Sequence, residues 1–347
     1  TPKPSSAASD VYKRQGLACQ RRSDLRTTIF EVRRAIGFSS PYRSSVVDSS
    51  QVIVTLSSLL VGKGDGMNTP KDIVVYIDTA DASICRVYID YAVELALSWD
   101  AHLIVAFVPE DLIANPSHGF ARGAAIEGML ASYEARRHEA EERLRALLAE
   151  VAAATGVQSE LRICSGETGE ALMLHARHAS LAVVGTGREP ARTETALTVS
   201  EDIIFASGRP SILLPRSWSK KGVPETIVIG WNASREAARA IADSMPFLAT
   251  ARAVHVVVVP EPKVARLLGE DPGSDISLHL ARHGINVTLD RLEGGSAGEL
   301  ILAHAEGLEA EMVVMGAYGQ SRITEFVFGS ATRTLLASPK VPIFLSR

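Results

Sequence analysis

The chain has 347 residues, 46% of them hydrophobic and 22% charged, with a formal net charge of −4. That is enough for two or three globular domains with sizeable cores, and the slight negative charge gives no electrostatic reason to expect a nucleic-acid or membrane partner. Three cysteines, Cys19, Cys85 and Cys164, lack metal-ligand spacing and make no disulfide framework, which fits a reducing cytosol, and no apolar run approaches the roughly 20 residues that cross a bilayer.

The opening stretch is a Ser/Arg-rich mixture of weak periodicity that begins with Thr1. Its residues 5–15 resemble translated sequencing-adapter read-through. Met67 follows Gly62-Lys63-Gly64-Asp65-Gly66, and a clean strand pattern starts at once with Ile73-Val74-Val75-Tyr76-Ile77. This pattern predicts Met67 as the native start and residues 1–66 as a disordered or non-native extension. A genuine flexible extension or targeting segment is the alternative.

From Met67 onward short apolar strands alternate with helical stretches, the pattern of βαβ units and a parallel sheet. Strands are predicted near 73–77, 103–108, 161–163, 181–184 and 211–214, with a long charged helix over 119–155 whose Glu139, Glu141, Glu142, Arg143 and Arg145 form a solvated face. Residues 217–223, containing Lys220, Lys221 and Gly222, read as a linker. The pattern then repeats, with strands near 227–230, 254–259, 285–289, 312–315 and 341–345. Ala237, Ile241, Met245 and Leu248 recur at helical spacing and put one apolar face on the sheet. The copies superpose: Val74 to Asp78 matches Val228 to Asn232, Gly169-Glu170 and His175-Ala176 match Gly298-Glu299 and His304-Ala305, and Val183-Val184-Gly185 falls on Val314-Met315-Gly316. A twofold repeat of this length is a duplicated α/β domain, not a solenoid. The division predicted is 1–66, 67–218 and 222–347.

The densest chemical signal follows the fourth strand of the second copy. Met315-Gly316-Ala317-Tyr318-Gly319 is followed, nine residues on, by Gly329-Ser330-Ala331-Thr332. Glycines let a backbone approach an anion closely, and a helix start offers N–H groups to it. Two structural glycines at a turn and a helix start are the plain alternative.

Five strands in βαβαβαβαβ order, an Asp-type residue ending strand one, and Gly-x-x-Gly-x9-Gly-Ser after strand four resemble the universal stress protein family, over residues 70–347 as a tandem pair. The resemblance is most specific in the second copy, through Trp231 to Ala240 and Gly316 to Thr332. It implies two flavodoxin-like (adenine nucleotide alpha hydrolase-like) domains, each a five-stranded parallel sheet of order 3-2-1-4-5, and a site for ATP, or for ADP or AMP, in the second. In such a sheet ligands sit where the strand order reverses, between strands one and four. That nominates Asn232 and Ser234 on one side, Met315, Gly316, Gly319, Gly329, Ser330, Ala331 and Thr332 on the other, and Val258 at the end of strand two. Arg322 reads either as a phosphate partner or as a solvated side chain. Asn232 stands where many members carry Asp; it keeps an acceptor but loses the charge, which puts Mg²⁺ in doubt. It also suits a strand-end turn and helix cap.

The first copy keeps Asp78, read as a structural remnant, but Gly185-Thr186-Gly187 leads into Arg188-Glu189-Pro190 with no Gly-Ser at the required distance. It is read as degenerate and non-binding. His279 and His283 have helical metal-ligand spacing without a third ligand, and His175 and His178 are no better. The 294–298 stretch lacks the ending of a Walker loop, and no serine-nucleophile elbow occurs. The expectation is a cytoplasmic, non-catalytic stress-response regulator, with a slow ATP hydrolase or phosphoryl-transfer enzyme, or a ligand-free interaction module, as alternatives. Residues 211–214 and 341–345 are expected to pair the two domains, with homodimerisation a further option.

Overall fold

The computed structural model describes residues 69–109, 124–164, 169–186, 203–204, 206–260, 272–317 and 339–347. The chain divides into two units, Thr1–Asp65 and Gly66–Arg347, and every described residue belongs to the second.

That unit is built from two successive βα series. The first runs β1 (Asp72–Ile77), α1 (Ala82–Trp99), β2 (His102–Phe107), α2 (Ala124–Thr155), β3 (Ser159–Ile163), α3 (Gly169–Arg177), β4 (Leu181–Gly185) and β5 (Ser211–Leu214). The second runs β6 (Thr226–Gly230), α4 (Arg235–Leu248), β7 (Ala253–Val258), α5 (Ser274–Arg282), β8 (Val287–Arg291), α6 (Ala297–Gly307), β9 (Met312–Gly316) and β10 (Ile343–Ser346). All ten strands form one sheet in the order β3-β2-β1-β4-β5-β10-β9-β6-β7-β8. Each half therefore has the expected 3-2-1-4-5 order, read inward from opposite edges. Pairing is parallel except at the centre, where β5 and β10 run antiparallel with Phe344 opposite Ile212. The two terminal strands thus join the halves within one chain, as the family resemblance implied and their apolar sequences allowed.

The central strands are legible as unbroken apolar runs because helices cover both faces of a parallel sheet. On one face a core including Ile73, Val75, Ile229, Val256 and Phe344 lies under α1, α2 and α4. This core crosses the β5–β10 seam without a break. Trp99 at the end of α1 meets Phe247 of α4 edge-on at 4.7 Å between ring centroids, and Phe247 meets Phe344 at 5.7 Å. The opposite face is covered by α3 in the first half, where the Tyr76 hydroxyl donates to the Leu172 carbonyl at 2.7 Å. In the second half α6 covers that face through Ile301 and Ala305, against Val228, Val257 and Val313.

Sequence and structure differ by two residues at the start of β3, at β8 and at the start of β10. In the outermost strand β8, Val287 and Leu289 are only half-buried and no unbroken apolar run marks the boundary; before β10, Pro342 has no N–H to give a ladder. In α2 the buried face is Ala140, Leu144, Leu148 and Val151, and the charges outside pair along the helix, Arg143 with Glu139 and Arg145 with Glu142.

Candidate functional site

The order reversal of the second half lies between β6 and β9, which pair directly from Ile227–Met312 to Ile229–Val314. β6 ends at Gly230, and the chain turns through Trp231, Asn232 and Ala233, whose φ of 56° is left-handed. The Asn232 Oδ1 accepts the Ser234 N–H at 3.1 Å, which closes this turn. Ser234 is the N-cap of α4, its hydroxyl oxygen accepting the Ala237 N–H at 3.1 Å. Asn232 thus performs the turn chemistry its type allows, with its side chain exposed at the sheet's rim.

Opposite stands the end of β9. Met315 is buried among Ile343, Leu345 and Ala317, so only its backbone faces the rim. Gly316 is held for a reason that the spacing alone did not reveal. A Cβ there would lie 2.5 Å from the Ala237 nitrogen and 2.5 Å from the Glu236 carbonyl carbon. The missing side chain is what lets the first turn of α4 sit on the end of β9. The structure therefore brings Gly316 against the residues that follow Ser234. Val258 is the last residue of β7, but its side chain is fully buried and packs toward Gly273, the residue before α5. Gly319, Gly329, Ser330, Ala331 and Thr332, and Arg322 with them, lie outside the described residues.

The corresponding place in the first half is built differently. A Cβ on Gly185 would lie 2.3 Å from the Tyr88 hydroxyl oxygen, so the phenol ring of α1 packs directly on the end of β4. Tyr88 is buried, and burial pushes its phenol up to about 12, Asp78 adding to the rise while Arg216 and Thr186 oppose it. A cavity of about 410 Å³ does open in this half, between the β1–α1 connection and α2, lined by Thr79, Cys85, Arg86, Leu144 and Leu147 among others. It lies beside the helix start that the Asp81 carboxylate already caps, a poor place for a second anion.

The matched family model is the universal stress protein family, over residues 70–202 and again over 224–347. The chain belongs to the universal stress protein family. A curated relative is the stress response protein NhaX of Bacillus subtilis (strain 168), 30% identical over 89 residues, which are 26% of this chain. The match spans about half (53%) of that relative's length. Among solved structures, a universal stress protein from Archaeoglobus fulgidus DSM 4304 aligns with 80% of this chain and 98% of its own at a TM-score of 0.56 and 19% identity, which shows the tandem fold. A universal stress protein family protein from Arabidopsis thaliana, solved with AMP bound, aligns with 35% of this chain and 91% of its own at a TM-score of 0.27 and 13% identity. Among the described residues no helix is long and apolar enough to cross a membrane.

One cluster in the second half of this universal stress protein escaped the reading by motif. His255 on β7, Asp290 on β8 and His304 on α6 converge, with Asp290 Oδ2 accepting from His255 Nδ1 at 2.8 Å and from His304 Nε2 at 3.0 Å. Burial raises the Asp290 pKa, but the hydrogen bonds and charges of the two histidines outweigh it and hold the carboxyl below its usual value. The residues are far apart in sequence, so no spacing rule could find them. The available signal was a histidine set inside the apolar run Val254-His255-Val256-Val257-Val258. The histidine pair that did have helical spacing, His279 and His283, stacks edge-on at 4.9 Å on α5 and its cap.

Proposed function

We propose that the second half of this universal stress protein binds an adenine nucleotide, ATP foremost and ADP or AMP after it, and that the chain acts as a non-catalytic, cytoplasmic stress-response regulator whose occupancy alters conformation or partner choice. The carrying observation is the course of the chain at the order reversal. β9 runs beside β6 and ends at Gly316, which sits directly against the first turn of α4 and opens the sequence Gly-x-x-Gly-x9-Gly-Ser. Strand ends, a glycine loop and a helix start at one reversal point are the elements of a phosphate site.

On this reading Gly319 and Gly329 admit the phosphates, Ser330 and Thr332 donate hydroxyl hydrogen bonds with the Ala331 backbone beside them, and Asn232 and Ser234 face the ligand from the other side. Met315 and Val258 contribute backbone and wall, since their side chains are buried. Asn232 brings no negative charge, so a metal accompanying the nucleotide would have to be held mainly by phosphate oxygens. The first half, with Tyr88 packed on the end of β4, serves as the structural partner.

The test is mass spectrometry of ligand released from purified full-length chain, followed by titration of ATP, ADP and AMP into native protein and Gly329→Val. Gly329 is preferred to Gly316 because Gly316 also carries packing. We expect an adenine nucleotide bound more tightly than millimolar and lost in Gly329→Val. Equal binding by the variant, or none by the native chain, would overturn the assignment.

A further inference from the structure

We propose that His255, Asp290 and His304 form a binding site for one divalent transition-metal ion, with Zn²⁺ as the expected occupant, separate from the nucleotide site. The geometry is close to what such an ion requires. One ligand atom from each residue lies within 4.8 Å of the other two. A tetrahedral zinc with bonds of about 2.0 Å needs its ligand atoms roughly 3.3 Å apart. The 2.8 and 3.0 Å contacts of Asp290 with the two imidazoles are already near that value. Small ring shifts that bring all three edges to that value would admit the ion.

The donor set selects its class. Two imidazoles and one carboxylate suit a borderline ion such as Zn²⁺, whereas Mg²⁺ demands an oxygen-rich octahedron that one carboxylate cannot supply. Three protein ligands leave a fourth position for water. The side chains are 16%, 23% and 23% exposed for His255, Asp290 and His304, so solvent reaches the cluster. As hydrogen-bond donors the two ring nitrogens carry protons. As ligands they must present lone pairs, so on coordination each of those protons moves to the other nitrogen of its ring or to solvent.

The repeat shows that the fold does not require this arrangement. Val74 of β1 pairs with Ile104, whereas its counterpart Val228 of β6 pairs with His255. Two positions further along, the neighbouring edge strand carries Arg162 in the first half and Asp290 in the second. Only the helix histidine is shared, as His175 and His304. In the first half His175 meets Arg162 at 3.2 Å, and Arg162 turns to Glu160. A cation-repelling arginine thus stands where the second half has a carboxylate between two imidazoles. The cluster lies on the sheet face covered by α6, opposite the face on which α4 packs.

The experiment is calorimetric titration of ZnCl2 into untagged, chelator-treated full-length protein, with Co²⁺ as a spectroscopic probe. We expect one ion per chain at micromolar affinity or tighter, visible Co²⁺ bands of a low-coordinate site, and no competition from Mg²⁺. His304→Gln and Asp290→Asn, each able to keep one hydrogen bond of the cluster, should weaken Zn²⁺ by at least about tenfold while the circular dichroism spectrum is unchanged. The double variant His279→Ala/His283→Ala should bind as the native chain does. The proposal falls if the native chain takes up no zinc, if folded His304→Gln binds it undiminished, or if the affinity disappears with His279 and His283 instead. In each of those cases the triad is a hydrogen-bonded tie only.

Discussion

Gly185 and Gly316 end the fourth strand of their respective halves, yet different atoms demand them. Beside Gly316 the obstacle to a side chain is backbone, the Ala237 nitrogen and Glu236 carbonyl carbon of α4. Beside Gly185 it is one side chain, the Tyr88 ring. The difference is testable by coupling. Gly316→Ala should destabilise by about 1–3 kcal/mol, the usual cost of forcing extra volume into a packed site, and trimming a neighbouring side chain should not restore it. Gly185→Ala should also destabilise, but less in a Tyr88→Ala background than in the native one, because the second substitution removes the obstacle. Urea unfolding of these variants measures both effects. Equal costs of Gly185→Ala with and without Tyr88 would contradict the contact.

At the scale of elements, α1 and α4 start with different caps, and the difference carries a pH signature. Asp81 caps α1: its Oδ1 accepts from the Ser83 hydroxyl at 2.6 Å, the Ser83 N–H at 2.9 Å and the Ile84 N–H at 3.3 Å. The Ser83 hydroxyl bond foremost, then those N–H groups, hold its carboxyl below the ordinary aspartate value. A depressed folded pKa contributes stability above the unfolded value, near 3.9, and loses it as pH falls through the folded one. Asp81→Asn retains an acceptor but not the charge, so the native chain should melt higher at neutral pH and the gap should close below about pH 4. A gap independent of pH in calorimetric melts would count against the charged cap. Elements of this kind were legible in sequence wherever one local rule sufficed: a fully covered strand is an apolar run, and Ala237, Ile241 and Leu248 mark the buried stripe of α4. The half-buried outermost strand β8 blurred its own boundary. The packing demand at Gly316 and the His255–Asp290–His304 convergence were illegible because each is made by chain segments that sequence spacing does not relate. The glycine loop is the reverse case, conspicuous in sequence yet mostly outside the described residues.

For the molecule as a whole, the antiparallel β5–β10 seam decides how the halves depend on each other. β10 gives one edge to β9 and the other to β5, and Phe344 on it packs into a core that includes Phe247 and Trp99. Among the described residues the outer edges of the sheet are β3 and β8, which carry Glu160, Arg162, Asp290 and Arg291. Charged side chains blunt an edge against further pairing, whereas the Ile343-Phe344-Leu345 edge is apolar and unguarded. A chain cut to residues 222–347 would expose it, together with the Phe247 ring that Trp99 now covers. Antiparallel pairing is self-complementary about a twofold axis, so a second copy can replace β5 without any change of fold. We therefore expect the isolated 222–347 chain to dimerise through β10, and Phe344→Lys in that fragment to shift it toward monomer by placing a charge in the seam. In the full-length chain the same seam is already satisfied internally, and the two halves should unfold in one calorimetric transition because their core is continuous. Sedimentation of the fragment across a concentration series decides the first point. A fragment that stays monomeric throughout, or a full chain that melts in two separated steps, would show that the seam joins the halves without making them interdependent.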